Sequence, residues 1–151
     1  DDNLRRSIIF RAFGAEEDRL HGSRHICQNL PVPASNIRLM VNLDMTGLLG
    51  SGRQSVVMVI SRIKSVENLL KEISLSHPGL ALEFSCNTGG WSDHFSFYAE
   101  NIPAIMLTTG IHNEYHTPDD TTGIINYQGE KAILDLVYDL IVVRAEKADL
   151  K

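Results

Sequence analysis

Short β-branched runs alternate with segments of helical periodicity along most of this chain, and that order constrains its fold more than any other feature. Ser7 to Phe13 (SIIFRAF) is apolar, ends at Gly14, and reads as a buried strand. Leu20 to Leu30 reads as a helix stopped before Pro31 and Pro33. Ile37 to Met45 (IRLMVNLDM) and Ser55 to Ser61 (SVVMVIS) read as strands, separated by Gly47, Gly50 and Gly52. Ser65 to Ser74 puts Val66, Leu69, Leu70 and Ile73 on one helical face, and His77-Pro78-Gly79 ends it. Leu80 to Ser85 is a further strand, Asp93 to Glu100 a short helix with Ser92 as its N-cap, and Pro103 to Thr108 a strand. A last helix is expected from Tyr127 to Ala148. Strand and helix in alternation imply a mostly parallel mixed sheet covered on both faces, a three-layer α/β/α arrangement. The 151 residues suffice for one domain, residues 1–151, with a core of its own.

Ligands of such sheets bind beyond the carboxyl ends of the strands, so the residues that follow each strand matter most. Glu16 and Glu17 follow the first strand, Asp44 ends the second, and His112, Tyr115, His116, Asp119 and Asp120 follow Pro103 to Thr108. Carboxylates and an imidazole on one rim suit zinc or a similar borderline metal. Each piece alone has a plainer explanation. Two glutamates near a helix start are favoured by the helix dipole, and a loop histidine is more often hydrogen-bonded than metal-bound. Asp44 is harder to explain that way, because a carboxylate closing an apolar strand is costly unless paired. Adjacent glutamates point in different directions. One can ligate a metal while the other handles a proton, the split that metal-assisted hydrolysis requires.

Other chemistries find less support. The Gly47–Gly52 segment is followed by Arg-Gln-Ser, so it is no phosphate-binding P-loop. There is no Gly-x-Ser-x-Gly elbow and no His-Glu-x-x-His helix. His21 and His25, four apart, read as a solvent-facing pair. With 14 Lys plus Arg against 19 Asp plus Glu the net charge is −5, and no basic run exists to grip nucleic acid. No stretch approaches the ~18 apolar residues of a membrane span. Cys27 and Cys86 are too few for a disulfide framework or a four-thiolate zinc site, and read as two small core residues.

Taken together, SIIFRAFGAEEDRLHGSRH, VNLDMTG, SDHFSF, IPAIMLTTG and YHTPDDT resemble the zinc-dependent exopeptidases typified by bacterial leucyl aminopeptidase, whose fold glutamate carboxypeptidase and glutaminyl cyclase share. The motifs occur in the family's order across nearly the whole chain. The resemblance implies a phosphorylase/hydrolase-like zinc-peptidase fold and roles for matching positions. Glu16 falls on the general base. Glu17 and His116 fall on the ligands of one zinc, and Asp44 on a ligand of the second. Asp93, His94 and Tyr115 fall on or near the pocket for the substrate's N-terminal residue. Asp120 falls on a partner that orients the metal-bound imidazole.

The chain also departs from that pattern. The family's upstream His-x-Asp ligand segment is absent, as is the long helix before the strand matched by Ser7 to Phe13. Asp1-Asp2-Asn3 resembles the middle of the motif carrying the zinc-bridging aspartate, which would place Asp2 at the bridge. The expectation is a C-terminal part of a catalytic domain, truncated on its N-terminal side, from a parent with two zincs, the chain itself holding one or none.

The reading is therefore a metal-dependent aminopeptidase acting on peptides. Two rivals are a glutaminyl cyclase-like single-zinc acyltransferase and a catalytically dead domain that only binds. No nucleic-acid or membrane partner is expected. Self-association through an exposed sheet edge is expected, and the family resemblance suggests an exported protein.

Overall fold

The computed structural model of the chain describes residues 4–50, 56–87 and 92–146. Its regular elements are α1 (His21–Gln28), β1 (Met40–Leu43), β2 (Val56–Ile60), α2 (Lys64–Ser74), β3 (Ala81–Ser85), α3 (His94–Ala99), β4 (Ala104–Thr108) and α4 (Tyr127–Glu146), with single 3-10 turns at Ala34–Asn36 and Thr122–Ile124. The strands form one sheet in the order β1-β4-β2-β3. β1 runs parallel to β4 and β2 parallel to β3, while β2 and β4 are antiparallel. The carboxyl ends of β1 and β4 therefore share a rim with the amino ends of β2 and β3.

Central strand β4 is buried along its whole length, and its pleat feeds two cores. Ile105 and Leu107 join Val57, Val59, Leu70, Ile133, Leu136 and Leu140, beneath α2 and α4. Ala104 instead joins Phe97 and Ile102, with Ile26 and Tyr98 packed around them, beneath α1 and α3. Successive side chains on a strand face opposite ways, so helices on both faces give the three-layer α/β/α architecture. Helix α4 combines a deeply buried face with exposed Leu134 and Tyr138. No helix among the described residues is long and apolar enough to cross a membrane.

The expected first strand is not present. Residues 7–13 join no ladder, and Phe10 is 86% exposed. An apolar, β-branched run becomes a strand only where a neighbour satisfies its N–H and C=O groups, and β1 pairs with β4 alone. The end of the segment is anchored by Phe13, whose ring centroid lies 6.0 Å from that of Phe97. A second correction concerns Ser92. No side chain caps α3, and the Ser92 hydroxyl points to Asp44 instead.

Candidate metal and catalytic site

The Gly14–Glu17 turn owes its place to α1 and not to a strand. Backbone N–H groups of Leu20, His21 and Gly22 donate to the carbonyls of Glu16, Ala15 and Gly14. The chain doubles back tightly enough to put Ala15, Arg19 and Leu20 at positive φ. A glycine is required at position 22, because a Cβ there would overlap the Gly14 backbone. Glu16 and Glu17 are thereby fixed at the start of a helix although no strand precedes them.

Asp44 comes directly from β1, with its N–H bonded to Leu107 O of β4. Its carboxylate ends a buried relay in which Asn42 Nδ2 donates to Ser92 Oγ over 2.7 Å and Ser92 Oγ donates to Asp44 Oδ2 over 2.6 Å. Asn42 and Asp44 are two residues apart on a strand and so share a face. The sequence pointed to Asp44 alone, and the contributions of Asn42 and Ser92 emerge only in the fold. Just beyond, the loop is fastened to the start of α4. Thr46 Oγ1 donates to Glu130 Oε1 over 3.0 Å, Asn126 N to Gly47 O over 2.8 Å, and Asn126 Nδ2 to Leu49 O over 2.6 Å.

The loop after β4 supplies His116 from a left-handed backbone conformation, φ 57°. His116 Nε2 lies 2.6 Å from Glu17 Oε1, and its ring stacks on Tyr115 with centroids 3.7 Å apart and planes inclined by 21°.

The electrostatics gather these groups into one field. Partial burial raises the Glu16 pKa, the negative charges of Glu17, Asp44 and Asp93 raise it further, and His116 opposes them. Burial also raises Asp93; a hydrogen bond with Ser23 counters this, and Asp44 adds to it. The Tyr115 phenol is raised by desolvation and by Glu17, Glu16 and Asp44. Glu17, Asp44, Asp93 and His116 thus all act on the Glu16 carboxyl.

Three other positions stand differently. His94 is 0% exposed, with its ring edge-on to that of Tyr98 at 5.8 Å. Burial holds its pKa down at about 4, against the pull of Asp44. Asp120 Oδ2 lies 3.8 Å from Nε2 of His112, a histidine to which the sequence attached no role. Asp2 lies outside the described residues. His21 and His25 are exposed, as expected, and Cys27 and Cys86 are free thiols, the second on the surface.

A carboxylate oxygen set against an imidazole, as in the Glu17–His116 pair, is a donor combination that zinc accepts. In donor chemistry the described residues fit the metal. In number they supply the Glu17–His116 pair, and among the described residues no three His, Cys, Asp or Glu side chains are placed to hold a metal together.

Comparison with known proteins identifies the family and the fold. The sequence profile of Peptidase family M28 matches residues 1–141. Leucine aminopeptidase 1 of Aspergillus niger is 28% identical over 136 residues, covering 83% of this chain and 34% of that protein. The zinc aminopeptidase of Bacillus subtilis superposes with a TM-score of 0.76 at 26% identity, covering 91% of this chain and 36% of the other. The glutaminyl cyclase of Porphyromonas gingivalis shares the fold, with a TM-score of 0.61 at 18% identity, over 89% of this chain and 52% of the other. The chain spans 41% and 34% of the length of two curated relatives that it matches.

Proposed function

The chain belongs to peptidase family M28, and on that premise we propose that it carries the catalytic rim of a zinc-dependent aminopeptidase that removes N-terminal residues from peptides. The observation that supports this most directly is the 2.6 Å contact between His116 Nε2 and Glu17 Oε1 within a cluster of carboxylates. Glu17 and His116 would hold one zinc. Asp44, with one oxygen already held by Ser92, would serve a second, and Asp2 would bridge the two. Zinc, when bound, supplies Lewis-acid polarisation of the peptide carbonyl and acidifies water.

The remaining chemistry belongs to side chains. Glu16 takes a proton from the attacking water and returns it to the leaving amine. A carboxylate raised above its ordinary pKa is suited to both tasks. The negative field of Asp93 and Asp44 favours the free ammonium group of a peptide. The Tyr115 phenol, kept protonated by its surroundings, can donate to developing negative charge on the carbonyl oxygen. Residues 1–151 would form one domain, the C-terminal part of the catalytic unit.

The test is hydrolysis of Leu-p-nitroanilide and of a Gln-initial peptide by the purified chain, with zinc added or chelated. The expected result is zinc-dependent release of nitroaniline. Glu16→Gln should retain metal and lose about 10²–10⁴-fold in turnover. Undiminished activity in that variant would remove Glu16 from its role. Cyclisation of the Gln peptide without hydrolysis would favour the cyclase chemistry. Zinc binding with neither reaction would leave a binding domain.

A further inference from the structure

The loop that presents His116 contains a second histidine that no matched motif accounts for. His112 is largely buried, with a side-chain exposure of 8%. Both ring nitrogens face carboxylates, Nδ1 lying 3.4 Å from Glu114 Oε2 and Nε2 lying 3.8 Å from Asp120 Oδ2. The ring also stands edge-on to Tyr115, with centroids 6.4 Å apart and an interplanar angle of 75°. Tyr115 in turn stacks on His116 at 3.7 Å.

Residues 112 to 120 form a run of tight turns. Tyr115 N donates to His112 O, Thr117 N to Glu114 O, and Asp120 N to Thr117 O. Within it His116 adopts φ 57°. A non-glycine residue held there persists only where its surroundings leave no easier alternative. Backbone turns alone give no reason for the Tyr115 ring to stay against the imidazole. His112 supplies one, facing Glu114 and Asp120 with its two ring nitrogens while its ring stands edge-on against the tyrosine.

We infer that His112 is a positioning residue, which clasps Glu114 and Asp120 and braces Tyr115 so that His116 is presented to Glu17. Asp120 then acts on His116 through His112 and Tyr115. The inference rests on His116 being a site residue, but its test does not depend on metal binding or turnover.

The experiment is proton NMR and amide exchange on the metal-free 151-residue chain. Stacking under Tyr115 should shift the His116 ring protons upfield of those of exposed His25. In His112→Ala that displacement should disappear, and exchange of the Thr117 and Asp120 amides should rise roughly tenfold or more. Core amides of α4, such as Leu136 and Leu140, should be unaffected. His112→Gln, which still offers a donor to one carboxylate, should restore part of both signals. Asp120→Asn, at an exposed position, should move them in the direction of the alanine variant. If His112→Ala fails to fold, the glutamine and Asp120→Asn variants decide. Unchanged His116 shifts and loop exchange in the folded variants would overturn the inference. Failure of wild-type zinc binding would count against the proposed function and leave this result standing.

Discussion

Glu17 Oε1 and His116 Nε2 meet at 2.6 Å although 99 positions separate them in the chain. Their side chains are 69% and 54% exposed, and exposed charge pairs stabilise a fold by only about 0–1 kcal/mol. A contact of so little structural value, brought together from two loops of strained backbone, fits a ligand pair better than a structural tie. Glu17→Gln and His116→Ala should therefore change the free energy of urea unfolding by less than about 1 kcal/mol in the absence of metal. Either should weaken zinc binding, measured by competition with a chromophoric chelator, at least tenfold. Large destabilisation with unaltered zinc affinity would reverse the assignment.

The Gly14–Glu17 turn offers a second test. Alanine favours a helix interior over glycine by about 1 kcal/mol, so Gly22→Ala on α1 would stabilise the chain if propensity decided. The Cβ would instead overlap the Gly14 carbonyl and amide, which are backbone atoms and cannot swing aside. Overpacking of this kind costs about 1–3 kcal/mol. Net destabilisation is expected in chemical unfolding, together with loss of whatever activity Glu16 supports. A more stable Gly22→Ala chain would mean that the turn does not approach α1 so closely.

Much of the fold was legible because periodicity reports local structure. The cores of β1, β2, α2, β4 and α4 fall where alternation and the 3.6-residue spacing placed them. Residues 7–13 carry the same composition as those strands, and the difference lies in the absence of a ladder partner, which no local pattern encodes. The site was legible through position where a carboxylate closes an apolar strand, as with Asp44, and through motif resemblance where distant groups meet, as with Glu17 and His116. Ser92 read as a helix cap because serine before a short helix usually is one. Its bond to Asp44 joins positions 48 apart, and this requires the fold. His112 carried no signal beyond its nearness to His116.

Acid should expose the burial of His94. Its folded pKa is held near 4, below the 6.5 of an unfolded histidine. Between those values the unfolded chain carries a proton that the native chain refuses. The contribution is complete above pH 6.5 and is lost as pH falls towards 4, by about 1.4 kcal/mol per pH unit and on the order of 3 kcal/mol in all. Glu16 and Asp93, with raised pKa values, act in the opposite sense, so the comparison must isolate His94. Urea midpoints of wild type and His94→Gln should converge as pH drops from 7 to 4.5. Parallel profiles would show that His94 takes up its proton in the native chain over the same pH range as in the unfolded one.

The last prediction concerns how Asp44 is held from behind. The first turn of α4 sits directly on the loop that follows β1. A Cβ at Gly129 would overlap the Leu49 carbonyl, the same oxygen that accepts from Asn126 Nδ2 at 2.6 Å. Gly129→Ala must therefore push α4 away from residues 46–50, straining the Thr46–Glu130 hydrogen bond and the Gly47–Asn126 backbone bond as well. The steric term again opposes a helix-propensity gain of about 1 kcal/mol, and backbone overlap with two dependent hydrogen bonds should outweigh it by about 1–3 kcal/mol. Gly123→Ala is the matched control. Its Cβ would meet only Thr121 Oγ1 at an ordinary 3.5 Å, so its unfolding midpoint should stay within about 0.5 kcal/mol of wild type. Equal behaviour of the two alanines would show that α4 does not fasten the Asp44 loop.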